Sequence, residues 1–202
     1  MAEAKIAEDR IAFLRSLRAV RSFRPDRVPQ EVVDNILEVA RWSGSASNRQ
    51  PWELVVIQDR ETLGALARVE GYANHLADAP LGIVLVMAGE RAEQETYDEG
   101  RLAERVMLAA LAHGVGSSVG WIVGGGRAAA REILGVPEGR MVRTALSLGY
   151  PDEGARRRRA GRARKPLSEI VHEERYSQLT NPPGPSAPRP QLSGSRRLSV
   201  GP

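Results

Sequence analysis

LGIVLVMA, residues Leu81–Ala88, is apolar from end to end. A run this short with no polar alternation reads as a β-strand buried on both faces. Such a strand needs a layer of structure on each side. Downstream, Thr96–His113 places Leu102, Val106, Leu108, Ala109 and Leu111 at helical spacing. Ser117–Val123 then reads as a strand or extended segment, and Arg127–Leu134 as a short helix ended by Gly135 and Pro137. Met141–Leu148 is a further strand, ended by Gly149-Tyr150-Pro151. Upstream, Arg60–Val69 reads as a helix and the β-branched run Leu54–Gln58 as a strand. Gln30–Trp42 is a helix with Val32, Val33, Ile36, Leu37, Val39 and Ala40 on one broad face, and Pro29 suits its first turn. Ile6–Ser22 carries Ile6, Ile11, Phe13, Leu14 and Leu17 close to helical spacing. Pro25 and Pro29 make the link between these two helices extended or turning. The pattern suits one α/β or α+β domain.

At 202 residues the chain is long enough for a real core, and with aromatics at 4% that core is aliphatic. The chain has no cysteine, which excludes disulfides, thiolate metal sites and a cysteine nucleophile. No stretch reaches the roughly 18 apolar residues that span a bilayer. Residues 1–21 lack the continuous apolar core of a secretory signal, so the expected location is the cytoplasm. The pI of about 9.9 invites a nucleic-acid reading, but the charge is local. Residues 1–155 hold 18 bases against 22 acids, whereas 156–165 (RRRRAGRARK) hold seven bases and no acid. A mildly acidic body with few aromatics argues against a uniform phosphate-binding face for nucleic acid. Residues 1–176 are expected to form the domain. The Pro/Ser/Arg-rich stretch 177–202 is expected to be a disordered tail.

Four segments carry candidate chemistry. Arg18 and Arg21, three apart at a helix end, would share a face able to grip a phosphate. The plainer reading is a basic end that complements the helix dipole. Gly44–Trp52 (GSASNRQPW) offers small residues for close approach of a flat ligand, with hydroxyls and amides for its polar edge. An ordinary loop is the plainer alternative. Gly120–Gly126 (GWIVGGG) ends in three glycines that allow positive φ and close backbone approach, or simply a flexible turn. It is neither a Rossmann nor a P-loop fingerprint. Arg162 and Arg164, just before Pro166-Leu167, form a basic pair near the chain end, against the solvated run Arg156–Arg159.

In this order the segments resemble the nitroreductase superfamily, over roughly residues 11–176. The matching stretches are Leu17–Phe23 (LRAVRSF), Gly44–Leu54 (GSASNRQPWEL), Gly114–Ile122 (GVGSSVGWI), Leu134–Gly139 (LGVPEG), Leu148–Pro151 (LGYP) and Arg164–His172 (RKPLSEIVH). Each alone is weak; six in one order are specific. The chain departs at Leu17 and Ala19, where the family has Arg and Ser, and at Gly44 and Ala46, where it has Pro and Ser.

The resemblance implies an α+β fold with a mainly antiparallel central sheet flanked by helices, in an interlocked homodimer. It implies an FMN-dependent oxidoreductase with FMN sites at the subunit interface and NADPH or NADH as electron donor. The reaction would be two-electron, ping-pong reduction of nitroaromatics, quinones or similar small acceptors. By residue, it implies that Arg18, Ala19 and Arg21 bind FMN at its phosphate, ribityl chain or pyrimidine edge. Arg164 and Arg162 would clamp the phosphate. Ser45, Ala46, Ser47, Asn48 and Gln50 would reach the flavin from the other subunit. Ile122, Val123 and Gly124 would line its N5 side through the backbone. His75 falls where some members carry a flavin-facing Lys or Asn. No catalytic acid or base and no metal is implied. A flavin carrier or sensor without turnover is the alternative.

Overall fold

The computed structural model describes residues 2–152 and 164–176. Its elements are α1 (Ala2–Ser16), α2 (Gln30–Arg41), β1 (Trp52–Ile57), α3 (Arg60–Ala67), β2 (Leu81–Met87), α4 (Ala92–Ala112), β3 (Gly116–Trp121), α5 (Gly126–Leu134) and β4 (Met141–Gly149). Short 3-10 turns lie at Ala46–Asn48, Asn74–Leu76 and Leu167–Glu169.

The strands form one sheet in the order β1-β2-β4-β3, every pairing antiparallel. The LGIVLVMA run is an inner strand of that sheet and is buried at all seven positions of β2. Its alternate side chains enter two separate cores. Ile83 and Leu85 join Leu146 and Leu148 of β4 under Val33 and Ile36 of α2 and Leu102 and Val106 of α4. Val84 and Val86 join Ala145 and Ile122 under Leu63 and Leu66 of α3 and Ala130 of α5. The sheet is therefore covered on both faces, which is why β2 lacks polar alternation. The fold class is α+β, as the resemblance implies.

Local signals explain most boundaries. Asp59 caps α3, its carboxylate accepting from the Thr62 N–H at 2.7 Å. Gly135, at φ 63°, closes α5 in the left-handed conformation. The long helix starts at Ala92 rather than Thr96, because Glu95 reaches back to the N–H groups of Gly89, Glu90 and Arg91 at 2.8–3.0 Å.

The first helix is shorter than its periodicity suggests: it ends at Ser16, not Ser22. Ser16 Oγ donates to the Phe13 carbonyl, and Arg18 Nη1 donates to the Arg15 and Leu17 carbonyls, all at 2.7 Å. The chain beyond is extended and docks on the edge of β3, where Ala19 bridges Ser117 and the Val20 N–H donates to the Ser117 carbonyl at 2.8 Å. Arg18 and Arg21 therefore do not share a helical face, which corrects the spacing argument for them.

The chain divides into two compact units, one through Ala160 and the other from Gly161. Of the second unit, residues 164–176 are described and contain the turn Leu167–Glu169. Arg162 and the 177–202 tail lie outside the described residues.

Candidate functional site

The outer edge of β3 organises the candidate residues. The 19–20 segment covers it at Ser117. Gly71 and Tyr72 cover it at the other end, with Gly71 bridging Ile122 and the Tyr72 N–H donating to the Trp121 carbonyl at 2.7 Å. Gly71 has φ 146°, and a Cβ there would stand 2.3 Å from the Trp121 oxygen, so the close approach requires glycine.

Arg18 and Arg21 are both exposed. Arg18 closes the α1 carbonyls, the dipole-complementing role of a basic helix end. It also borders a cleft of about 90 Å³ with Leu17, Val20, Gly116 and Pro151. Arg21 acts electrostatically on His75, whose ring is buried and hydrogen-bonded through Nδ1 to Ser147 Oγ at 2.7 Å. Burial, and secondly the Arg21 charge, hold this imidazole below its ordinary pKa of 6.5, although the Val119 carbonyl pulls the other way. His75 Nε2 makes no hydrogen bond among the described residues.

The 44–50 loop is held in an unusual shape. Ser47, Asn48 and Gln50 have φ of 52°, 53° and 49°. Positive φ at non-glycine residues costs of order 1 kcal/mol each and persists only where the surroundings impose it. Ser45 Oγ accepts from the Gln50 N–H at 2.8 Å, closing the loop on itself. Arg49 pairs with Glu90 at 2.7 Å, and the Ala46 N–H approaches Asp98 Oδ2 at 3.4 Å. Ala46, Ser47, Asn48 and Gln50 are exposed and Ser45 half-buried, so the loop presents small polar groups to the surroundings.

At the end of β3 the backbone donors are almost all used. The Ile122 N–H bonds the Arg143 carbonyl at 2.8 Å, and the Val123 N–H bonds the Glu70 carbonyl at 3.1 Å. The Gly125 N–H bonds Glu70 Oε2 at 2.9 Å. Gly124, exposed and at φ 50°, lies between them, its N–H making no hydrogen bond among the described residues. Arg164 is exposed and belongs to the second unit.

Sequence reasoning missed a buried charge cluster behind the loop. Glu95, Asp98, Glu99 and Arg143 are each under a tenth exposed. Arg143 Nε donates to Glu99. Asp98 faces the loop at Ala46 and lies 3.7 Å from Arg101. Burial pushes the Glu95 carboxyl up, but its three backbone donors and Arg143 outweigh that and hold it below 4.5. The signal was present: 95, 98, 99, 102 and 106 follow helical spacing on the face that also carries Leu102 and Val106.

The Nitroreductase family profile matches residues 14–70, from the end of α1 to Glu70. A protein of Archaeoglobus fulgidus, provisionally named an NADH dehydrogenase/NAD(P)H nitroreductase, is 31% identical over 155 residues, covering 72% of this chain and 87% of its own. The chain belongs to the nitroreductase family. Among solved structures, an FMN-dependent nitroreductase of Clostridium difficile superposes with a TM-score of 0.73 at 27% identity, over 82% of this chain and 99% of that one. The FMN-dependent nitroreductase NfnB of Mycobacterium smegmatis, solved in complex with NADPH, gives 0.74 at 25% identity, over 84% and 100%. This nitroreductase-family chain thus spans nearly the full length of both solved structures.

Proposed function

We propose that this nitroreductase-family chain is an FMN-dependent NAD(P)H oxidoreductase that reduces small acceptors such as nitroaromatics or quinones. The observation that carries the reading is the Gly124 N–H, without a hydrogen bond among the described residues, in a turn whose neighbouring donors are satisfied. A lone donor on an exposed, close-approach backbone fits a ring nitrogen or carbonyl of a flat ligand. The small polar loop 45–50 and the exposed Arg18 and Arg21 fit the polar edge and phosphate of the same ligand. When bound, FMN supplies the redox chemistry, accepting a hydride from NADPH or NADH and passing two electrons to the acceptor in ping-pong order.

The residues of this chain then have binding and orienting roles. Gly124, with Ile122 and Val123 beside it, meets the N5 edge of the ring. Arg21 places positive charge near the pyrimidine edge, where electron density rises on reduction. Arg18 serves the phosphate or ribityl chain, and Ala19 the adjoining backbone. Ser45, Ala46, Ser47, Asn48 and Gln50 approach from a second copy. The cleft beside Arg18, about 90 Å³, is far below the ~300 Å³ that a small-molecule site needs. A homodimer completes the site. An open groove of about 740 Å³ along α2 and α4, lined by Val39, Tyr97, Gly100, Arg101 and Leu108, supports that arrangement. The direct test is the visible spectrum of the purified protein during FMN titration. A saturable, flavin-coloured complex is expected; a chain that stays colourless and does not perturb FMN overturns the reading.

A further inference from the structure

Two of the three glycines at 124–126 pack tightly against one acidic residue, Gly124 against the Glu70 side chain and Gly126 against the Glu70 backbone. A Cβ on Gly124 would lie 2.4 Å from Glu70 Oε2, and one on Gly126 would lie 2.3 Å from the Glu70 carbonyl. Glu70 holds this turn twice, its carbonyl accepting from Val123 and its carboxylate from Gly125. Arg127 Nε secures the same turn by donating to the Ile122 carbonyl at 3.1 Å. Glu70 itself is exposed, so packing of its side chain is a small part of its role. The glycine run is therefore not a slack linker: it is shaped to admit Glu70, whose carbonyl and carboxylate fix the donors on either side of Gly124.

We propose that Glu70 is a positioning residue for the reductase site, latching the 123–125 turn so that the Gly124 N–H is held ready for the flavin edge. The inference rests on the flavin reading above. Glu70 acts through Gly124 and is not itself a catalytic residue. A pre-set donor binds its acceptor without the cost of ordering the turn.

The test compares Glu70→Ala with Glu70→Gln in the full chain. Gln retains an acceptor oxygen at the same reach, whereas Ala removes it. Amide hydrogen exchange of the flavin-free protein, read on the peptide covering 122–127, should accelerate about tenfold at Gly125 in Glu70→Ala, the loss of one hydrogen bond. FMN affinity should fall by about three- to tenfold for the same reason, with a shifted midpoint potential of the bound flavin. Glu70→Gln should keep exchange and affinity within about twofold of the unchanged protein. Unchanged exchange in Glu70→Ala would show that the latch does not exist. Faster exchange with unaltered FMN affinity and potential would make the latch structural only and overturn the proposal. Failure of the unchanged protein to bind FMN overturns the flavin reading and this proposal with it. Exchange in Glu70→Ala, which needs no flavin, tells that failure from a failed latch.

Discussion

At the scale of single residues, two buried titratable groups set the acid behaviour of the fold. His75 is held neutral by burial and by Arg21, so its folded pKa lies below 6.5. The unfolded chain binds more protons as pH falls through 6.5, and the contribution of His75 to stability, full above that pH, is lost on the way to the folded value. Replacing His75 with Gln should flatten this segment of the stability profile in urea titrations at stepped pH. An unaltered slope between the two proteins would show that His75 has no part in it. Glu95 acts in the same direction at lower pH: its contribution is present above 4.5 and lost as pH falls through its lowered folded value. The Arg143–Glu99 pair is of another kind, two charges brought into the core against each other. Glu99→Ala strands the guanidinium and should cost about 3–5 kcal/mol. Urea denaturation checks it, and a loss below about 1 kcal/mol would be that of an exposed pair.

At the scale of elements, the strained loop and the glycine turn make opposite demands. The 44–50 loop needs three non-glycine residues at positive φ. Ser47→Pro, which fixes φ near −65°, should disrupt it and abolish FMN retention while the far-UV circular dichroism of the body stays unchanged. In the turn after β3, Gly124 and Gly126 leave no room for a Cβ, so Gly126→Ala, with its Cβ against the Glu70 carbonyl, should destabilise by about 1–3 kcal/mol in urea titration. How far these elements could be read from sequence depends on where their causes lie. LGIVLVMA announced a strand covered on both faces because every side chain takes part in one of two cores. Gly135 and Pro29 marked helix ends through local chemistry. The end of α1 was hidden, because the partner that draws residues 19–20 into extended form is Ser117, nearly a hundred residues away. Glu70 was hidden for a similar reason: nothing near it in sequence reveals the glycines it holds.

At the scale of the whole molecule, the candidate residues of the first unit lie along one edge of the sheet and on an exposed loop, and the cleft beside Arg18 is too small to enclose a flavin. Ile6, Ile11 and Leu14 of α1 and Tyr97 of α4 are left about half or more exposed in the single chain. A second copy would cover such surface and bring the 45–50 loop to its partner's β3 edge. Sedimentation equilibrium should therefore give twice the 22.0 kDa chain mass. A monomer at micromolar concentration that still binds FMN would contradict the shared site. The sequence carried this level only through the order of its motifs, since no motif by itself exceeds an ordinary loop or basic helix end. Whether the chain uses bound flavin to move electrons from a nicotinamide to a small acceptor is decided by anaerobic single-turnover spectroscopy. NADPH or NADH added to the FMN-loaded dimer should bleach the flavin band, and a quinone or nitroaromatic added afterwards should restore it. A loaded protein whose flavin band neither nicotinamide bleaches would rule out that electron transfer.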